Sequence, residues 1–293
     1  MLQGVIFKAL SGFYYVEADG GTLECRARGR LRLDGVPPLV GDTVSVAVSG
    51  PGKGVVMDIL PRRNAFTRPP VANIDQLVII ASGALPVTDP FLIDRMTAAA
   101  HSRGCRAVIC VNKCDMDDAD ALFDIYSRAG FITIRASADT GQGRDEIRSV
   151  LAGRFSALTG NSGVGKSSIL NMLAPELGIA TGDVSRKLGR GRHTTRHVEL
   201  YRLGGDAIIA DTPGFSSFDA DSIGMMKRSE IQHTFPDFAP YIGKCRFDDC
   251  LHISEPGCAV RAAADSGAIH PSRRAGYERL CREAADREAR KYN

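Results

Sequence analysis

The chain has 293 residues, more than one ordinary domain holds, so two or three are expected. Lys plus Arg number 37 against 34 Asp plus Glu, a net charge of +3, and 44% of residues are hydrophobic against 24% charged. That balance excludes a histone-like polycation and a disordered acidic or basic chain. No apolar run approaches the roughly 18 residues of a membrane span. The opening MLQGVIFKALSGFYYVEADGG lacks the basic end, uninterrupted apolar stretch and cleavage site of a signal peptide. A cytoplasmic protein with no membrane partner is expected, and its 8 cysteines are poor disulfide candidates.

Residues 1–64 carry short apolar or alternating runs broken by glycine: VIFKAL, GFYYVEA, GTLECRARGRLRL, GDTVSVAVSG and GVVMDIL. Five short strands at this spacing predict a small barrel of the OB type, without a convincing helix. PRRNAFTRPP reads as a linker. From Ile74 onward strands and helices alternate. QLVIIAS, CRAVICVNK, FITIRAS and FSALTG read as strands. DPFLIDRMTAAAHSRG, begun by Thr88 or Asp89, reads as a helix, as do ALFDIYSRAG, GRDEIRSVLAG and GKSSILNMLA. HVELYRL and DAIIADT, joined by Gly204-Gly205, predict one hairpin in an otherwise parallel α/β sheet. Beyond about residue 218 strands stop. This segment is rich in Cys, Pro and Asp, ends in a charged helix from Ser272, and has too little apolar sequence for a core without a staple.

Gly160-Asn161-Ser162-Gly163-Val164-Gly165-Lys166-Ser167, followed by Ser168, fits GxxxxGK[ST] between a strand and a helix. Backbone N–H groups of such a loop wrap phosphate oxygens, and the helix N-terminus adds partial positive charge. Lys166 would reach the β- and γ-phosphates and Ser167 would meet Mg²⁺. A glycine-rich turn with a surface lysine is the bland alternative, disfavoured by the full match and its flanks. Asp211-Thr212-Pro213-Gly214 ends a strand and offers an aspartate to the Mg²⁺ shell and a glycine N–H to the γ-phosphate. Alone, DTPG could equally be a type I turn. Asn112-Lys113-Cys114-Asp115 resembles the guanine-specificity element of GTPases. Asp115 can accept two hydrogen bonds from guanine and none from adenine, and Lys113 would lie along the base. Ser137-Ala138 resembles the loop whose backbone touches the guanine oxygen. GTP and GDP are the expected ligands.

A Ras-like GTPase runs phosphate loop, switch threonine, DxxG, NKxD, SA. Here NKxD and SA come first, a circular permutation that a sheet with neighbouring termini tolerates. The chain leaves DTPG directly into the C-terminal region, so nucleotide state is expected to move that region as a lever. Residues 183–202 hold six Lys/Arg and two Asp/Glu and include Gly191-Arg192-His193-Thr194-Thr195-Arg196. Thr195, favoured over Thr194, would complete the Mg²⁺ shell. Phe215 follows DTPG where Ras-like enzymes place a water-orienting glutamine, so a slow intrinsic rate is expected. His193 is the nearest polar candidate, as water-positioner or base, with a solvated loop histidine as the alternative.

Cys245, Cys250, His252 and Cys258 form CxxxxCxHxxxxxC. Three thiolates and an imidazole suit one tetrahedral, structural Zn²⁺, the staple this region lacks. Cys105, Cys110 and Cys114 read instead as small core hydrophobes. In ECRARGRLRLD, strand periodicity puts Arg26, Arg28, Arg30 and Arg32 on one face, a candidate RNA surface, with a solvated face as the alternative. Phe13, Tyr14 and Tyr15 could stack on bases or pack the barrel. From Pro271 the chain adds seven Lys/Arg against four Asp/Glu.

Taken together, NKCD, SA, GNSGVGKSS, GRGRHTTR, DTPGF and CxxxxCxHxxxxxC behind a barrel-like N-terminus resemble the ribosome small-subunit-dependent GTPase A family (RsgA, also called YjeQ). The resemblance spans nearly the whole chain. It implies an OB-fold RNA-binding domain at 1–64, a circularly permuted P-loop GTPase at 65–217 and a zinc-binding α domain at 218–293. It implies late maturation of the small ribosomal subunit, contact with its rRNA, and GTP hydrolysis stimulated by that subunit. The family's histidine falls on His193. The sequence carries no signal of oligomeric state, and a monomer is the default expectation. Two other readings compete: a placeholder on rRNA whose turnover is incidental, and a metabolite kinase or ATPase, against which NKxD speaks.

Overall fold

Glycine-punctuated alternation folds as β1 (Leu2–Leu10), β2 (Phe13–Ala18), β3 (Gly21–Ala27), β4 (Thr43–Gly50) and β5 (Lys53–Ile59). The computed structural model describes residues 1–29, 31, 36–67, 70–179, 198–211 and 226–290, with the side chains of Glu199 and Asp211 outside the description. The five strands pair in the order β1-β2-β3-β5-β4, and β4 returns to β1, which closes a barrel. Alternation sets the interior: Val16, Cys25, Val44, Val46 and Val56 are buried.

The expected arginine face is shorter than its sequence pattern. The last ladder bond runs from Arg28 N–H to Val56 O at 3.0 Å, and Leu31 N–H then donates back to Arg28 O at 3.0 Å, so the chain turns. Gly29 follows Arg28, and glycine is a poor strand former. Only Arg26 stands on a described strand, with its guanidinium 4.6 Å from the Phe13 ring centroid. Arg28 is exposed in the turn, and Arg30 and Arg32 lie outside the described residues.

Residues 61–70 are not a free linker. β6 (Ala65–Thr67) and β7 (Pro70–Ala72) form an antiparallel ladder. Arg62 grips the buried Asp42 with Nε and Nη2 at 2.7 and 2.8 Å, and Arg63 reaches Asp75 at 2.5 Å. The carboxylates that Arg62 and Arg63 meet come from the barrel and from the start of the next sheet.

That sheet consists of β8 (Gln76–Ser82), β9 (Arg106–Asn112), β10 (Ile132–Arg135), β11 (Phe155–Thr159), β12 (Glu199–Leu203) and β13 (Ala207–Asp211). Their order is β10-β9-β8-β11-β13-β12, and only β12 is antiparallel to its sheet neighbour β13. β12 also meets β1 through Lys8 and Glu199, so one sheet runs on into the barrel. Every residue of β8 is buried, as expected of a central parallel strand. Helices α1 (Pro90–Ser102), α2 (Asp120–Arg128), α3 (Arg144–Leu151) and α4 (Lys166–Leu173) connect these strands. Asp89, rather than Thr88, caps α1: its carboxylate accepts from Phe91 N–H at 2.9 Å, with Pro90 in the first turn. The carboxyl ends of β8, β9, β10, β11 and β13 share one edge. Strand order reverses direction at β11, the position where open α/β sheets form a ligand crevice.

The C-terminal segment contains α5 (Arg228–Ile231), α6 (Ala259–Asp265) and α7 (Pro271–Arg290). It has an apolar core, but a shared one. Phe235, Phe238, Val260, Tyr277 and Leu280 pack with Phe91, Ala98 and Ala99 of α1. Arg273, one of the seven basic residues counted in this segment, is fully buried. It pairs with Asp94 of α1, and its Nη2 and Nε reach Asp237 at 3.0 and 3.3 Å. Its guanidinium lies 4.3 Å from the Phe235 ring centroid. Tyr126 O–H donates to Asp94 Oδ1 at 3.0 Å. Asp94 Oδ2 faces Gly276, where a Cβ would stand 1.9 Å away, so α7 can sit this close only with glycine there. Burial outweighs the pull of Arg273 and lifts Asp94 to about 6. Burial also works against the charge on Arg273, but Asp94 and Asp237 outweigh it and hold the guanidinium above its usual range.

Candidate nucleotide cavity and metal centre

β11 delivers the phosphate loop, and α4 begins at its lysine. Val164 is buried beneath the loop and anchors it. Gly165 has φ +95°, and a Cβ on it would meet Asn112 Nδ2 at 2.3 Å. Only glycine fits there. Lys166 Nζ donates to Gly160 O at 2.8 Å and Asn161 O at 2.9 Å, drawing the turn together at the positive end of α4.

Asn112, at the end of β9, joins three motifs. Its Nδ2 donates to Val164 O at 2.8 Å, and its Oδ1 accepts from Ala138 N–H at 3.1 Å. It is buried, and its contacts are to protein backbone. Asp115 accepts from Ser137 Oγ at 2.5 Å, which fixes the carboxylate plane. Lys113, with φ +67°, donates from Nζ to Leu85 O at 2.6 Å.

These residues enclose a cavity of about 580 Å³. Asn112, Lys113, Asp115, Met116, Ala138 and Asp139 line one end; Ser162, Gly163, Gly165, Lys166, Ser167 and Ser168 line the other. The volume suits a nucleotide-sized ligand. One end offers an oriented carboxylate acceptor. The other offers a helix N-terminus, an ammonium and hydroxyls, which is anion chemistry. Gly160, Asn161 and Val164 shape the loop, and Ser137 stands behind Asp115. Met116 and Asp139 are lining residues that motif reading misses, although each adjoins a motif residue. Asp211 ends β13 at the same sheet edge. His193, Thr194, Thr195, Gly214 and Phe215 lie outside the described residues.

Cys245, Cys250, His252 and Cys258 come together with their ligand atoms within 4.8 Å of one another. His252 Nδ1 lies 3.4 Å from both Cys245 Sγ and Cys258 Sγ, and the two sulfurs are 3.9 Å apart. Ideal tetrahedral zinc requires S···N edges of about 3.6 Å and S···S edges of about 3.8 Å. The donor set and spacing fit such an ion. His252 Nε2 is 2.7 Å from Gln232 Oε1, so the ring proton stays on Nε2 and Nδ1 faces the sulfurs. Glu255 accepts backbone N–H groups from Leu251, Ile253 and Ser254 at 2.8–3.0 Å and shapes the loop that carries Cys250 and His252. By itself the cluster resists ionisation: burial pushes the Cys250 thiol up to about 12 and His252 down. A dication reverses that preference. Cys105 and Cys110, by contrast, are buried apart from this cluster, each pushed up to about 12 by burial.

Fold and cavity define a P-loop nucleotide-binding protein whose motifs run in permuted order, preceded by a closed barrel and followed by a Cys₃His cluster. Profiles of the RsgA GTPase and the RsgA N-terminal domain match residues 59–221 and 3–56. A "Small ribosomal subunit biogenesis GTPase RsgA" from Moorella thermoacetica is 44% identical over 98% of this chain and 99% of its own length. One from Caldanaerobacter subterraneus subsp. tengcongensis is 40% identical over 99% and 98%. The crystal structure of YjeQ from Thermotoga maritima superposes with a TM-score of 0.82 at 31% identity, covering 97% of this chain and 98% of that one. YloQ, described as a circularly permuted GTPase, gives 0.79 at 32% identity over 98% and 96%. The chain belongs to the RsgA GTPase family.

Proposed function

We propose that this protein hydrolyses GTP to GDP and phosphate on the small ribosomal subunit and assists its late maturation. The observation that carries the reading is the single cavity in which NKCD, SA and the phosphate loop meet. Asp115, oriented by Ser137, accepts the ring N–H and amine of guanine, Lys113 lies along the base, and the backbone of the Ser137-Ala138 loop faces the guanine oxygen. Residues 160–168 cradle the phosphates, with Lys166 on the β- and γ-phosphates. Mg²⁺ would be held by the Ser167 hydroxyl and by Thr195 or Thr194, with Asp211 behind, and would neutralise phosphate charge. Gly214 N–H meets the γ-phosphate. His193 positions or deprotonates the attacking water, a role that Phe215 cannot perform.

Zn²⁺, one per chain, would be held by Cys245, Cys250, His252 and Cys258 in a structural role. Residues 1–64, 65–217 and 218–293 act as RNA-binding, GTPase and zinc-binding units of a cytoplasmic monomer, and Arg26, Arg28, Arg30 and Arg32 face rRNA. Among the described residues no helix is long and apolar enough to cross a membrane. Support for the ribosomal partner comes from the names of the relatives.

The test is phosphate release from GTP with and without purified small subunits, with ATP as control. Stimulation confined to GTP is expected. Equal turnover of ATP would remove the guanine reading, and no stimulation would remove the ribosomal one. His193→Ala separates catalysis from a placeholder role: a variant without turnover that still leaves the subunit normally would favour the placeholder.

A further inference from the structure

A segment that carries none of the recognised motifs touches both the phosphate loop and Lys113. Between Ser82 and Pro90 the chain makes a short loop that closes on itself. Ser82 Oγ donates to Ala84 O at 2.8 Å, and Thr88 N–H donates to Ser82 O at 2.8 Å. Ser82 N–H donates to Thr88 Oγ1 at 3.0 Å. The Thr88 hydroxyl still has its proton to give, and it donates to Asn161 Oδ1 at 3.0 Å. Asn161 is the second residue of the phosphate loop. The same segment meets that loop again, since a Cβ on Gly163 would lie 3.2 Å from Pro86 Cγ. At the other end of the cavity its Leu85 carbonyl receives Lys113 Nζ.

Thr88 is only 2% exposed, and helix capping does not need it because Asp89 fills that role. A buried hydroxyl that both accepts from a strand end and donates to a phosphate-binding loop ties the two together. We propose that Thr88 is a positioning residue of the nucleotide site, holding the phosphate loop in register with β8 through Asn161. The inference rests on the guanine-nucleotide reading of the cavity. Without this bond the loop loses a fixed point and must be ordered when nucleotide binds, which costs affinity. One hydrogen bond of ordinary strength corresponds to about a fivefold loss.

The test titrates fluorescent GDP and a fluorescent non-hydrolysable GTP analogue into the full chain. The panel is wild type, Thr88→Val, Thr88→Ser, Asn161→Ala and the Thr88→Val/Asn161→Ala double variant, each checked for folding by thermal unfolding. Thr88→Val and Asn161→Ala should each weaken both nucleotides about fivefold. The double variant should be no weaker than the worse single, because both remove the same bond. Thr88→Ser, which keeps the hydroxyl, should stay within about twofold of wild type. Singles that multiply to about 25-fold in the double overturn the assignment. So does a folded Thr88→Val chain that binds like wild type. Should Thr88→Val fail to fold, Asn161→Ala against Thr88→Ser decides: a loss in the first but not the second supports the bond, and equal affinity in both overturns it. A wild-type chain that binds no guanine nucleotide would overturn the reading of the cavity itself, a result distinct from any pattern among the variants.

Discussion

Replacing Arg273 with methionine keeps an apolar stem in place and removes the cation between Asp94 and Asp237. Side-chain exposure of the three is 1%, 0% and 6%, so water cannot take over. Breaking a buried ion pair from one side costs about 3–5 kcal/mol. For a chain of this size that lowers the unfolding midpoint by roughly 6–15 °C. Part of the loss must depend on pH. In the variant Asp94 stays buried only by taking a proton. Relative to its ordinary value of 3.8, that costs about 5 kcal/mol at pH 7.5. The wild-type chain, with Asp94 lifted to about 6, already bears about 3 kcal/mol. A carboxyl raised on folding stabilises below its unfolded value and loses that contribution as pH climbs through the folded one. The remaining difference, about 2 kcal/mol, is therefore present at pH 7.5 and gone near pH 5.5. Thermal unfolding at the two pH values, by circular dichroism, measures it. Adding Asp94→Asn to Arg273→Met removes the protonation cost altogether, so it should recover more than that 2 kcal/mol at pH 7.5, up to about 5 kcal/mol. A midpoint within 1 °C of wild type (roughly 0.5 kcal/mol), or an equal loss at both pH values, would refute the reasoning.

Asp115→Asn removes the acceptor of two charge-assisted bonds, so GDP affinity should fall at least about 100-fold while xanthosine diphosphate gains, as competition binding would reveal. Gly165→Ala forces a Cβ against Asn112 Nδ2 at a left-handed φ, and calorimetry should find GDP binding lost in a chain that remains folded. Gln232→Ala frees the His252 ring, and chelator competition should show metal held about 10- to 100-fold more weakly.

What the sequence made legible follows from chemistry that acts locally. Phosphate needs contiguous glycines, a lysine and a hydroxyl, so residues 160–168 announce themselves. Soft donors spaced within one short loop can converge on a single point, and the spacing of Cys245, Cys250, His252 and Cys258 made that convergence readable. The place of Asp115 in the cavity was readable because NKxD stands at a strand end. Thr88 and Leu85 were opaque because one works through an ordinary hydroxyl and the other through a carbonyl every residue owns. Arg273 misled because its partners lie 36 and 179 residues away, and composition counts a buried guanidinium like an exposed one. The arginine alternation was legible only as far as the strand runs: period two is a strand pattern only while the backbone stays extended, and β3 ends at Ala27. The C-terminal core was hidden because Phe91, Ala98 and Ala99 of the distant α1 complete it.

That shared core has a consequence for synthesis. The Asp94 helix leaves the translating ribosome 179 residues ahead of Arg273. At about 5–20 residues per second it waits roughly 10–35 s with Phe91, Ala98 and Ala99 uncovered. A nascent chain that stops after β13 leaves this apolar face of α1 without Phe235, Phe238, Tyr277 and Leu280. Helix α7, made long after α1, is thus one of the elements that cover this face.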